Sequence, residues 1–143
     1  MNIIYEQAAA LPVRLSSDKL QVLLVETRSG HQWTIPKGII DPGFTATETA
    51  LAEAFEEAGI KGVLYPKLFG SFSYPKWQGI CRVQVFLMKV QEELGHWPEK
   101  YFRKRRWVDQ GESREMIKYA GLNKIIDTLD PSTLASIGLW DVK

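Results

Sequence analysis

Gly38-Ile39-Ile40-Asp41-Pro42-Gly43-Phe44-Thr45-Ala46-Thr47-Glu48-Thr49-Ala50-Leu51-Ala52-Glu53-Ala54-Phe55-Glu56-Glu57-Ala58-Gly59-Ile60 begins as a Gly/Pro loop and becomes a helix carrying three carboxylates near its end. Thr45 and Glu48 stand at the spacing of a capping box, which predicts a helix starting at Thr45. Gly59, just past the last apolar turn, is the expected C-cap. Positions i, i+3 and i+4 share a helix face, so Glu53, Glu56 and Glu57 fall within an arc of roughly 100°. Leu51, Ala54, Phe55 and Ala58 are then the side expected to pack inward. Like charges at these spacings cost a bare helix about 0.2–0.5 kcal/mol per pair. A divalent cation would reverse that sign. Oxygen ligands with no Cys or His cluster nearby point to Mg²⁺ or Mn²⁺ rather than zinc. A solvated acidic helix face is the plainer reading of the same three residues, and their surroundings decide between the two.

Those surroundings resemble the Nudix box, G-x5-E-x7-R-E-U-x-E-E-x-G-U, over its full length. Gly38, Glu53, Glu56, Glu57, Gly59 and Ile60 sit at matching positions, and Trp33-Thr34-Ile35-Pro36-Lys37-Gly38 looks like the entry to that box. Two positions depart, with Phe44 where the family has Glu and Ala52 where it has Arg. Both replacements are apolar, so Phe44 is expected to pack over Ala52 and keep the loop anchored without the family's ion pair.

The resemblance implies an α/β/α sandwich with a mixed sheet, and Mg²⁺- or Mn²⁺-dependent hydrolysis of a phosphoanhydride. It implies Glu53 and Glu57 as principal metal ligands assisted by the Gly38 carbonyl, and makes Glu56 the candidate general base. Read from the residues alone, Gly38 serves equally as a turn glycine.

Lys100, Arg103, Lys104, Arg105 and Arg106 put five cations in seven residues of a chain whose net charge is only +1. A solvated loop is one reading of such a run. A polyphosphate partner is the other, since Arg offers bidentate charge-assisted bonds to phosphate and Lys a point charge. Leu94 to Val108 looks like the segment downstream of the box in diphosphoinositol polyphosphate and diadenosine polyphosphate hydrolases. That likeness makes Arg103, Lys104 and Arg105 candidate phosphate contacts, together with Arg28 and Lys37 upstream. Trp97, Tyr101, Phe102 and Trp107 interleave with the cations and are candidates either for base stacking or for the core. A catalytically weak nucleotide sensor and an RNA 5′-pyrophosphohydrolase use the same residues and stand as alternatives.

At 143 residues the chain is long enough for a sizeable core, and residues 1–143 read as one domain. Its 45% apolar and 24% charged content are those of an ordinary globular protein. The lone Cys81 excludes an internal disulfide framework and fits a reducing cytoplasm. No apolar run approaches the roughly 20 residues of a membrane span. The charge balance gives no general case for nucleic-acid binding, beyond a capped or triphosphorylated RNA end.

The pattern predicts strands over 3–15, 21–27 and 80–90, an extended stretch from Lys61 to Tyr74, and a short strand at Trp107-Val108. It also predicts a second helix from Ser113 to about Leu129, closed by Pro131 and followed by a short helical tail.

Overall fold

The computed structural model describes residues 3–140. Eight strands among them form one mixed sheet: β1 (Ile3–Ser16), β2 (Lys19–Glu26), β3 (Trp33–Thr34), β4 (Lys37–Ile39), β5 (Ile60–Leu64), β6 (Gly70–Lys76), β7 (Gly79–Glu93) and β8 (Arg105–Asp109). β1 and β7 are its spine, paired in parallel from Ile3 opposite Gly79 to Val13 opposite Lys89. On its other edge β1 holds β4 through Gln7–Ala9 and β2 through Val13–Ser16, both antiparallel. The β1–β2 turn is Ser17-Asp18, both at positive φ, as Asp tolerates in tight hairpins.

Helix α1 (Ala46–Ala58) covers one face; α2 (Gln110–Met116), α3 (Ala120–Asp127) and α4 (Pro131–Ser136) cover the other. The two cores follow from strand alternation. Ala8, Ala10, Leu23 and Val25 meet Ala50, Ala54 and Ala58 of α1, whereas Ala9, Leu11, Val13, Val22 and Leu24 meet Leu122, Ile126 and Leu134. The expected α/β architecture is the one observed.

Three local expectations change. The inward face of α1 is Ala50, Ala54, Glu57 and Ala58, while Leu51 is exposed and Phe55 half-buried. The small alanines let α1 lie close on the sheet, and the helix rotates to suit them and brings Glu57 inside. The predicted helix over 113–129 is broken. Ile117 leaves helical geometry, bridges to Trp33, and has its carbonyl capped by the Asn123 amide (3.1 Å), so α3 starts afresh at Ala120. Pro131 does not simply end that helix. It opens α4, with Asp130 as N-cap.

Candidate active site

Helix α1 starts and ends as its sequence dictates. The Thr45 hydroxyl accepts the Glu48 N–H (3.1 Å) and the Glu48 carboxylate accepts that of Thr45 (2.9 Å), while Gly59 closes the helix at φ +65°. Left-handed geometry suits glycine there for a second reason: a Cβ would run into the Trp97 indole.

The segment after β7 then wraps this end and satisfies the carbonyls that a helix terminus leaves orphaned. Glu99 N–H bonds the Glu56 carbonyl (3.0 Å), Trp97 Nε1–H bonds that of Glu57 (3.1 Å), and the Arg105 guanidinium reaches those of Ala58 (2.9 Å) and Gly59 (3.3 Å). Arg105 also lies over the Trp97 ring at 4.1 Å. Its cation sits where the helix dipole favours one.

This wrap delivers Glu99 to the carboxylates of α1. Ligand oxygens of Glu53, Glu57 and Glu99 lie within 4.8 Å of one another. Glu57 is buried, Glu53 half-buried and Glu56 exposed. One cation is embedded among them: Arg103 pairs with Glu99 (2.9 Å) and Glu57 (3.4 Å) and donates to the Glu26 carbonyl (2.9 Å). The Glu57 carboxylate also accepts the Lys37 backbone N–H (3.1 Å).

Three carboxylates around one guanidinium leave uncompensated negative charge. Burial, then the neighbouring Glu57 and Glu56, pushes the Glu53 carboxyl up to about 8. Burial also raises Glu57, against the opposing pull of Arg103. Gly38 faces the same cluster from β4, where a Cβ would collide with the Glu53 carboxylate. It is therefore a strand glycine selected by space, not a turn glycine. An all-oxygen cluster with charge to spare fits a hard divalent cation held by Glu53, Glu57 and Glu99.

The cluster opens into a cavity of about 420 Å³. Glu56 lines it, as do Arg28, Lys37 and Arg103. Arg28 is mostly exposed and approaches Glu99 at 3.9 Å. Burial holds the Lys37 ammonium down at about 8, and it lies 4.9 Å from the Tyr74 ring centroid. Gln7, Thr34, Lys76, Trp77 and Tyr119 complete the cavity's lining. There the Tyr74 hydroxyl donates to the Gln7 amide oxygen (2.8 Å), and the buried Thr34 hydroxyl has no partner among the described residues.

Of the predicted site residues, Gly38, Glu53, Glu56, Glu57, Arg28, Lys37 and Arg103 converge on this cavity. Lys104 and Arg105 do not line it. Lys104 is exposed in the link to β8, and Arg105 is committed to the end of α1. Glu99 was not foreseen; its i,i+4 spacing to Arg103 was the available signal.

The apolar latch expected between Phe44 and Ala52 is not what holds the loop, since Phe44 is 58% exposed and Ala52 also faces solvent. Backbone bonds from Ile40 N–H to the Glu6 carbonyl (3.0 Å) and Phe44 N–H to that of Asp41 (3.1 Å) do so, with the capping box. Ala52→Arg and Phe44→Glu are accordingly expected to change stability by no more than about 0.5 kcal/mol each, and additively. A double-mutant cycle by urea denaturation reads this directly, and a coupling above about 1 kcal/mol would contradict it.

Comparison with known proteins agrees with the geometry. Residues 5–128 match the NUDIX domain family. The chain is 34% identical over 118 residues to Nudix hydrolase 12, mitochondrial, of Arabidopsis thaliana, covering 77% of this chain and 58% of that protein. It is 32% identical over 104 residues to bovine diphosphoinositol polyphosphate phosphohydrolase 3-beta, covering 71% of this chain and 62% of the relative. It thus spans less than two thirds of either. An Ap4A hydrolase from C. elegans, in a binary complex, superposes with a TM-score of 0.75 at 23% identity, covering 92% of this chain and 98% of the other. With its box residues gathered on one cavity and this match across most of its length, the chain belongs to the Nudix hydrolase family.

Proposed function

We propose that the protein hydrolyses a phosphoanhydride bond in a nucleoside- or inositol-linked polyphosphate, using Mg²⁺ or Mn²⁺. The observation that carries this reading is the partly buried Glu53–Glu57–Glu99 cluster opening onto a cavity whose rim is cationic. A divalent cation bound by that cluster and the Gly38 backbone would neutralise phosphate charge and make water a stronger acid.

Glu56 is the general base. It is exposed on the same cavity, one residue from Glu57, with its carboxylate in no ion pair among the described residues. It takes a proton from water as the oxygen attacks phosphorus, and the P–O bond to the departing phosphate breaks. Arg28 and Lys37 bind phosphate oxygens from the rim. Arg103 limits repulsion between Glu57 and Glu99 and presents the remainder of its charge to substrate. Lys104, outside the cavity, contributes at most through its field.

The bovine relative's name points to diphosphoinositol polyphosphates and the C. elegans neighbour's to Ap4A; either substrate suits a cationic rim. We take the chain as one catalytic domain. No helix among the described residues is long and apolar enough to cross a membrane. The buried free thiol of Cys81 suits a reducing compartment, and the cytoplasm is our proposal for it. A phosphate-release screen in Mg²⁺ or Mn²⁺ over dinucleoside polyphosphates, nucleoside triphosphates, sugar nucleotides and inositol pyrophosphates tests the reading. No turnover of any would overturn it.

The raised Glu53 carboxyl gives a pH test. Its pKa is higher folded than unfolded, so its contribution to stability is full below about 4.5 and is lost as pH rises through about 8. A cation must displace its proton. Mg²⁺ affinity should therefore climb with pH up to about 8 and then level off, with net proton release at pH 7. Calorimetric titration in buffers of different ionisation heat measures that release. Lys37, held down to about 8 by burial, titrates over the same range, and a cation beside it adds to the proton release.

A further inference from the structure

The interleaved aromatics separate into two kinds in the fold. Trp97 lies beneath Gly59 and bonds the Glu57 carbonyl, and Trp107 packs against the α1-side core. Tyr101 and Phe102 instead stand 86% and 63% exposed, at consecutive positions of the chain. Burying rings of this size is normally favourable, so two adjacent ones left in water need an occupant.

Their backbone is fixed. Phe102 N–H and Arg103 N–H both bond the Glu99 carbonyl (2.9 and 3.0 Å), and Lys100 N–H bonds that of Trp97 (3.2 Å). Glu99 and Arg103, the residues flanking the turn, both line the catalytic cavity. Arg28 joins the two regions: it lines the cavity, and its guanidinium lies 5.7 Å from the Phe102 ring centroid. One arginine side chain therefore spans the distance from the phosphate-binding rim to the exposed ring.

We propose that Tyr101 and Phe102 form a nucleoside platform at the cavity rim, on which the base of a polyphosphate substrate stacks while its phosphates enter the cavity. Cations beside exposed aromatic faces match a ligand that is anionic at one end and a flat π-system at the other. An inositol ring offers no such face, so the platform favours nucleoside over inositol polyphosphates. The inference rests on the polyphosphate reading of the cavity and narrows it.

Methylenediphosphonate and the methylene analogue of ADP share the phosphonate core and differ in the adenosine. Their affinities in Mg²⁺, measured by calorimetry, test the platform without requiring turnover. The wild type is expected to bind the ADP analogue at least about ten-fold more tightly. Tyr101→Ala with Phe102→Ala should remove most of that ratio while leaving methylenediphosphonate affinity unchanged. Phe102→Trp, which keeps a stacking face, should preserve it. Equal affinities in the wild type, or a preference that survives the double substitution, overturn the platform alone. Failure of both compounds to bind overturns it together with the polyphosphate reading.

Discussion

Glu57→Gln is expected to lower kcat by at least about 100-fold while the protein stays folded. Glu57 is the buried member of the carboxylate cluster, holding the Lys37 N–H with one oxygen and facing Arg103 with the other. Glutamine can still accept the Lys37 bond, and burying a neutral amide costs less than burying a charge, so the fold should persist. What goes is a hard anionic ligand, and losses on this scale follow from removing a metal ligand or a general base. Glu56→Gln separates the two roles. It should lose a comparable factor in kcat yet bind Mg²⁺ as the wild type does, whereas Glu57→Gln should lose Mg²⁺ affinity as well. A near-normal rate in folded Glu57→Gln protein would sink the assignment of the cluster.

Arg103→Ala is expected to destabilise the metal-free protein by about 3 kcal/mol, read by urea denaturation. Its guanidinium is largely buried, and removing one partner of a buried ion pair strands the other charge. Here two carboxylates, Glu57 and Glu99, would be stranded. Mg²⁺ should therefore raise the melting temperature of this variant more than that of the wild type, because it replaces the missing charge. Lys104→Ala, next along the chain, should change stability by no more than about 0.5 kcal/mol. Equal losses at the two positions would mean that the basic run acts only as a diffuse field.

The different fates of adjacent cations mark how far the sequence could be read. Composition shows a basic cluster, but period-two alternation in β8 splits it: Arg105 turns toward the end of α1, whereas Arg106 pairs with Glu112. Register against β2 settles which residue goes where, and no local signal reports it. The capping box, Gly59 and the strands of the spine were legible because each is fixed by its own few residues. The inward turn of Glu57 was hidden because Leu51 and Phe55 are the larger apolar groups, and only the tight fit of alanines against the sheet reverses that preference. The break at Ile117 was hidden for a like reason, since its partner, Trp33, lies 84 positions upstream. Glu99 reaches the site only through the loop wrapped around the helix terminus.

Ala50, Ala54 and Ala58 against Ala8 and Ala10 have a consequence of their own. None of them lines the cavity, yet they set how closely the helix that bears Glu53 and Glu57 lies on β1, which holds Gly38 of β4 opposite Ala8. The site has a calibrated spacing whose smallest graduation is one methyl group, and a valine in that seam would detune it. In laboratory evolution of this scaffold, new substrate ranges should therefore arise by changing the rim, with the alanine seam as intolerant of change as the glutamates themselves.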